Sequence, residues 1–361
     1  MASEDRPARS LADRISEATL GLFDVATIYL GERLGLYRAL QGSGPLTAGE
    51  LAAATGTRER FVREWCEQQA ATEILACPNP EAEPGERLFD LPPDHAEVLA
   101  LRDGPAYGAG GLPGLVAALA ALPGLPDAMR VAPLGRPGDA DRLETAAGIG
   151  EANRPLFLHL LAGWLSSLPD VDARLQASPP ARVLDVGCGA GWSSVAIARA
   201  YPLVEVDGVD ADEQAIAVAR GHADAAGLAG RVRFTVADGA DPGVEGPFDL
   251  VTLFETVHDM THPVAVLGAC RRSLVPGGTC LVVDARVSDR FRLPAGRIDR
   301  IAYGWSVVDC LPAVMGGEGS AATGAVMRPA TLAGYARDAG FAGVEILPIE
   351  DPGWRFYRLV P

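Results

Sequence analysis

The sequence predicts an α/β protein: a doubly wound, mostly parallel sheet ending in an antiparallel hairpin, preceded by a mainly helical winged-helix domain. Three observations lead there. From about Pro179 onward, short apolar runs alternate with amphipathic helical stretches, the pattern of a parallel sheet covered on both faces. The first run hands over to its helix through a glycine-rich turn, Gly187-Cys188-Gly189-Ala190-Gly191. The first hundred residues read as three helices followed by two short apolar runs.

Composition narrows the function. The 361 residues suit two domains at about 150 residues each. The formal charge is −16, which repels nucleic acid and anionic membranes alike. All 31 basic residues are arginine, so a P-loop lysine, a Schiff-base lysine and a Ser-Lys pair are excluded. The N-terminus, MASEDRPARS, lacks the basic-then-apolar layout of a leader. The most apolar stretch, Gly111 to Leu125, is cut by Pro113 and Pro123 and reads as too short and broken to span a bilayer. Six scattered cysteines, with no CxxC pair and no histidine at ligand spacing, predict neither a disulfide framework nor a metal site. A reduced, cytoplasmic protein is the expectation.

In chain order, residues 1–100 form the winged-helix-like domain. Apolar residues recur at helical spacing from Leu11 to Leu40. Thr47 and Glu50 supply a capping box for a short helix that Gly56 ends. A third helix follows Thr57, with Phe61, Val62 and Trp65 on one face, and the runs Ile74 to Cys77 and Leu88 to Leu91 form the wing. Residues 101–178 read as a helical connector or cap, with helices around Leu115–Leu122 and Leu156–Leu168. From 179 to 361, strands are expected at ARVLDVG, VEVDGVD, RVRFTVAD, FDLVTLFET and GGTCLVVDAR. VEILPI and RFYRLV, joined by a short turn, suit an antiparallel hairpin.

Polar residues then fall in phase at the C-terminal ends of these strands, on the rim where such sheets bind ligands. Asp210 ends the second strand, placed to accept from ribose hydroxyls; Asp238 and Gly239 end the third, facing an adenine amine; Phe254 and Glu255 end the fourth. Trp192 stands where a G-x-G-x-x-G dinucleotide fingerprint needs its third glycine, which argues against nicotinamide or flavin.

Together, LDVGCGAG, VDGVD, VADGAD, FDLVTLFETVHDM and VPGGTCLVVD resemble the class I S-adenosylmethionine-dependent methyltransferases. The resemblance covers about half the chain and implies a seven-stranded sheet with a reversed strand near its end. It also implies that Gly187 and Gly189 hold the methionine portion of S-adenosylmethionine, Asp210 and the following Ala211 the ribose, Asp238 and Gly239 the adenine, with Phe254 alongside. S-adenosylhomocysteine is then the product. LGERLGLYRAL, TRERFVREW, ETVHDM and WRFYRL look like an actinobacterial branch of winged-helix small-molecule O-methyltransferases. In those relatives the N-terminal region mediates dimerisation and helps cover the active site, so a homodimer is implied, and the composition suits specialised metabolism.

Methyl transfer to oxygen or nitrogen calls for a base, and His258, just beyond the fourth strand, is the best candidate. The resemblance implies the same for a His258-Asp259 pair, although Met260-Thr261-His262-Pro263 departs from the family's continuation. Glu255, one helical turn earlier, is the second catalytic candidate. The long connection 286–329 reads as a substrate lid, with Tyr303, Trp305, Ser306 and Met315 as acceptor-side candidates. The expected function is methyl transfer to O, N or C of a small molecule. The alternatives are a cofactor-binding protein with non-methylating catalysis and a cofactor-sensing regulator. The regulator is disfavoured because Glu59, Glu64 and Glu67 offset Arg58, Arg60 and Arg63 on the third helix.

Overall fold

The computed structural model describes residues 10–130 and 139–361; the stretch Met1 to Arg9, read above for a leader, lies outside them. The chain divides into two compact units, Met1–Val116 and Ala117–Pro361, and the stretch 101–178 is shared between them.

In the first unit, α1 (Leu11–Leu34) opens on a capping box between Ser10 and Asp13 and is broken from α2 (Leu36–Leu40) by Gly35 at φ +71°. β1 (Leu46–Thr47) leads into α3 (Ala48–Thr55), which Thr47 and Glu50 cap reciprocally and Gly56 ends, as the sequence predicts. α4 (Glu59–Ala71) differs in two ways. Its N-cap falls on Arg58, because the Thr57 hydroxyl pairs with Thr55 instead. Phe61 points outward, 74% exposed, while Val62 and Trp65 are buried. The wing also differs. β2 (Leu88–Phe89) pairs with β1, and the run 74–77 keeps only a single bridge, Ala76 to Asp90. Pro78 and Pro80 remove ladder donors just past that run, and Asn79 instead spans the loop, its Oδ1 accepting from the Leu88 N–H at 2.7 Å. α5 (Pro93–Leu99) completes a core built on Tyr37, Leu51, Trp65 and Phe89.

The boundary between the units falls within α6 (Leu112–Ala120). With a 3₁₀ turn and α7 (Leu125–Ala128), α6 belongs to a helical stretch, Ala109–Ala128, of mean hydropathy 1.4. That stretch passes for a membrane span by length and composition alone, but it is broken into short 3₁₀ and α-helical pieces, with Pro123 and Pro126 at piece starts, where a missing N–H costs little.

The second unit continues with α8 (Asp139–Ser166), α9 (Pro169–Gln176), β3 (Arg182–Val186), α10 (Trp192–Ala200), β4 (Glu205–Asp210), α11 (Glu213–Ala225) and β5 (Val232–Val236). Then come β6 (Phe248–Phe254), α12 (Pro263–Ser273), β7 (Leu274–Ala285), α13 (Arg297–Trp305), α14 (Leu311–Val314), α15 (Pro329–Asp338), β8 (Gly343–Ile346) and β9 (Trp354–Val360). The seven strands order as β5-β4-β3-β6-β7-β9-β8, with β9 antiparallel to both neighbours and the pairs from β5 to β7 parallel. The chain winds outward in both directions from β3, which opens the ligand crevice at the carboxyl ends of β3, β4 and β6. One face of the sheet packs under Phe157, Leu161, Trp164 and Leu165 of α8; the other packs under α12 and α15 through Val266, Leu267 and Leu332. Each such aliphatic side chain contributes about 1.5–3 kcal/mol by leaving water.

Candidate active site

The glycine turn follows directly from β3. Gly187 and Cys188 both donate their N–H to the Val209 carbonyl of β4, at 2.8 and 3.1 Å, which fixes the turn on the sheet's edge. Gly187, Gly189 and Gly191 all have positive φ. A Cβ on Gly187 would collide with the Thr256 side chain, and one on Gly191 would meet Phe234 at 2.6 Å. One on Gly189 would meet nothing within 4 Å. Gly189 is thus the point at which the turn faces open space.

Behind the turn lies a structural residue whose role the sequence does not announce. Asp185, fully buried on β3, accepts from the hydroxyls of Ser193 and Ser194 (2.6 Å each) on α10 and of Thr252 (2.8 Å) on β6. Burial pushes this carboxyl up from its ordinary range, and the three hydroxyls pull it back. Asp210 holds the turn from the other side. Its Oδ2 accepts from the Gly189 N–H and its Oδ1 from the Asp212 N–H, both at 2.9 Å. Burial raises its pKa as well. Ala211 is exposed beside it. Asp238 is exposed and accepts from the Ala240 N–H at 2.8 Å, and a Cβ on Gly239 would meet Val186 and Val266 at 2.9 Å. Trp192, at the start of α10, lies between the ring of His222 (4.0 Å between centroids) and the guanidinium of Arg154 (4.5 Å). Sequence reasoning gave His222 and Arg154 no role.

At the end of β6, Phe254 is buried edge-on against Phe157 of α8, with centroids 5.2 Å apart. Glu255 is not helical, contrary to the spacing argument. It sits at φ +51° in the turn leaving the strand, its N–H donating to the Val283 carbonyl and its Oε2 accepting from Asn153 at 2.7 Å. A non-glycine residue held at positive φ stores strain of about 1–3 kcal/mol. Burial and the nearby Asp284 charge raise its pKa, against an opposing pull from His258.

His258 occupies a 3₁₀ turn, Val257–Asp259, and is buried. Its principal partner is not Asp259. Nδ1 lies 2.9 Å from both carboxylate oxygens of Asp284 at the end of β7, whereas Nε2 is 3.5 Å from Asp259 Oδ2. Burial pulls the imidazole's pKa down, but Asp259 and Asp284 outweigh it and hold it well above the ordinary value. Asp284 was missed because only the pairing of β6 with β7 brings it alongside; its position after a buried strand, VVD, was the available signal.

The segment 286–329 folds over this turn. Ala321 donates its N–H to the Thr261 carbonyl at 2.9 Å, and the segment carries its own small core of Val287, Ala302, Cys310 and Ala325. Between α13 and α14 the chain makes a π-helical turn, Ser306–Cys310. Tyr303 accepts from Arg328 at 3.0 Å, Trp305 is half-buried, Ser306 is buried against Gly324, and Met315 is 52% exposed after α14. The same turn brings Cys310 to His258. The sequence predicts no metal-ligand cluster; in the fold, donor atoms of His258, Asp259 and Cys310 lie within 4.8 Å of one another. Sequence spacing does not show this proximity, because the three residues come from two segments joined only by tertiary packing.

Residues 178–304 match a family described as a methyltransferase domain, and residues 23–101 match the Rv2258c-like winged HTH domain. The chain is 31% identical over 178 residues to a ubiquinone biosynthesis O-methyltransferase of Pseudomonas paraeruginosa, covering 49% of this chain and 72% of that protein. Among solved structures, an O-methyltransferase of Nostoc punctiforme described as putative aligns with a TM-score of 0.71 at 20% identity, covering 97% of this chain and 100% of that one. Human N-acetylserotonin methyltransferase, solved with S-adenosylmethionine, aligns with a TM-score of 0.69 at 17% identity, with full coverage of both chains. With its sheet order, its glycine turn and these relatives in agreement, the chain belongs to the class I S-adenosylmethionine-dependent methyltransferases.

Proposed function

We propose that this enzyme methylates a hydroxyl oxygen of a small-molecule acceptor, with His258 as general base. The observation that carries the reading is the Asp284–His258 pair. In the neutral imidazole the two oxygens of the one Asp284 carboxylate hold the proton on Nδ1 and leave the Nε2 lone pair to take a proton from the acceptor. The names of the curated relatives, O-methyltransferases, support oxygen over nitrogen or carbon.

The rim suits the methyl donor. Gly189 leaves space that a Cβ would fill, and Asp210, tied to the loop through two backbone N–H groups, sits where ribose hydroxyls would be held. Gly187 and Gly189, Asp210 with Ala211, Asp238 with Gly239, and Phe254 are our candidates for contacts with it. When bound, the sulfonium supplies an electrophilic methyl carbon and departs as a neutral thioether. The chain's own residues align the acceptor and keep water out. Glu255, held by Asn153, is a second carboxyl beside the base. We place the acceptor under the 286–329 segment, with Tyr303, Trp305 and Ser306 on its near run and Met315 at its rim. The small exposed area left on His258 suits an acceptor that enters from that side.

We further propose a cytoplasmic homodimer paired through α1. Along this 24-residue helix Leu11, Ile15, Leu20, Leu22, Phe23, Leu30 and Leu34 are all exposed, and only Gly31 and Glu32 are buried. An apolar stripe of that length calls for a partner surface.

The test is a screen of phenolic and alcoholic acceptors with methyl-labelled S-adenosylmethionine, run with wild type and His258→Ala. Wild type should label an acceptor. His258→Ala should lose about 10²–10⁴-fold in kcat while still binding S-adenosylhomocysteine. A His258→Ala enzyme of unchanged kcat would remove the histidine from the mechanism.

A further inference from the structure

We propose that His258, Asp259 and Cys310 form a binding site for a thiophilic divalent cation, Zn²⁺ by its chemistry, and that the ion switches methyl transfer off by occupying the base's lone pair. The inhibitory half rests on the base reading given above; the binding half does not.

The donor set comes first. An imidazole nitrogen, a carboxylate oxygen and a thiol sulfur approach one another within 4.8 Å. Nitrogen, oxygen and sulfur ligands are what Zn²⁺ takes, in tetrahedral geometry with bonds of about 2.0–2.3 Å, which sets ligand atoms about 3.3–3.8 Å apart, so side-chain shifts of about an ångström close these donors round one ion. Three protein ligands leave a fourth position for water.

A second observation points the same way. Metal-bound histidines donate their other ring N–H to a carboxylate, which fixes the tautomer and raises the basicity of the ligating nitrogen. Asp284 supplies that carboxylate, at 2.9 Å from Nδ1, and is buried. His258 therefore presents Nε2, on the side of Asp259 and Cys310.

The third observation is the backbone that delivers the sulfur. Cys310 ends a π-helical turn, and such turns are rare and concentrate at functional sites because they re-aim a side chain. Cys310 is buried, so the thiol is shielded from bulk oxidants while lying next to the rim.

The step balances simply. Zn²⁺ displaces to solvent the proton of the Cys310 thiol and any proton on His258 Nε2, gives up three of its bound waters, and takes a lone pair from each of Sγ, Nε2 and the Asp259 carboxylate. No electron is transferred. The bound ion leaves no lone pair on Nε2, so the acceptor's proton has no destination, while the contacts proposed for the methyl donor are untouched.

The test uses full-length protein stripped with EDTA and desalted, with Co²⁺ as the spectroscopic probe. One equivalent of Co²⁺ should give a thiolate-to-cobalt charge-transfer band that Zn²⁺ displaces. Cys310→Ser should abolish the band, although the other five cysteines remain. Asp284→Asn should keep the band but weaken Zn²⁺ binding about 10–100-fold, the effect of losing an outer partner of a histidine ligand. Calorimetry with S-adenosylhomocysteine should be unchanged by Zn²⁺. In the labelled-methyl assay, Zn²⁺ should stop the wild type and leave Cys310→Ser at its own EDTA-treated rate. No band, or a band that survives Cys310→Ser, overturns the site. A band through Cys310 with full methyl transfer in Zn²⁺ overturns the switch. The base reading is judged separately, by EDTA-treated His258→Ala.

Discussion

Alanine at Gly187 and alanine at Gly189 are the same chemical change two residues apart, yet the structure assigns them different consequences. Both positions have positive φ, +69° and +49°, where an L side chain costs about 1–2 kcal/mol. At Gly187 the new methyl group also lands on Thr256, whose Cβ and Cγ2 would lie 2.8 and 2.9 Å away. Thr256 is in the short turn between Glu255 and the His258 3₁₀ turn and has little room to retreat. Overpacking of this kind adds about 1–3 kcal/mol. Gly187→Ala should therefore lose about 2–5 kcal/mol and Gly189→Ala about 1–2 kcal/mol. At about 2–4 °C per kcal/mol for a unit of this size, the melting temperature should fall by about 4–20 °C and about 2–8 °C respectively. Binding should rank the other way. The Gly189 methyl group points into the open space of the turn, so S-adenosylhomocysteine affinity should fall at least tenfold, about 1.4 kcal/mol. Thermal unfolding and calorimetric titration of both variants give the comparison. A Gly189→Ala protein that binds the product as wild type does would remove Gly189 from the cofactor surface. Equal melting losses in the two variants would refute the Thr256 contact.

Three further outcomes follow from the same geometry. In the base role proposed for it, His258 works as the neutral imidazole, and its pKa is held above the ordinary value, so kcat/KM should climb with pH and its acid limb should lie above that of an unperturbed histidine. Asp284→Asn removes one of the two carboxylates that raise it, so the acid limb should move to lower pH; a pH–rate profile that does not move would show that Asp284 does not set the proton affinity. The double substitution Leu20→Glu, Phe23→Glu places charge on exposed α1 positions and should convert a dimer to a monomer by light scattering with little change in melting of the first unit. A dimer that survives it would place the interface elsewhere.

The sheet was legible because its central strands are buried on both faces and read as predominantly apolar runs between turn signals; Val183 to Val186 and Leu250 to Leu253 are nearly inaccessible, and their polar members Asp185 and Thr252 bond each other. The caps of α3 were legible because Thr47, Glu50 and Gly56 act within one turn of chain. What failed involves pairing between distant segments. Leu88–Phe89 chose Leu46–Thr47 over the nearer run because prolines blunt the nearer one. Asp259 is adjacent to His258 in sequence, but the short turn aims Nδ1 away from it, toward Asp284. Cys310 gave no sign at all, since only the π-helical turn brings it to the histidine.

Strand register explains why the candidate site is built as it is. Phe254 of β6 pairs with Val283 of β7, and the next residue on each strand is a carboxylic acid, Glu255 and Asp284. Adjacent parallel strands thus deliver two acids side by side on a buried rim, where two negative charges are costly. The chain meets this in two ways. Burial and the Asp284 charge raise Glu255, which favours its neutral form, and a histidine three residues further along sits on Asp284. The two raised pKa values have different leading causes, burial for Glu255 and the Asp259 and Asp284 charges, working against burial, for His258; Asp284 is the neighbour common to both. A group that gains and loses a proton there works against fixed neighbours rather than against solvent. That suits the base proposed for His258, and the register of two strands supplies one of its two carboxylates, Asp284, while the turn itself supplies Asp259.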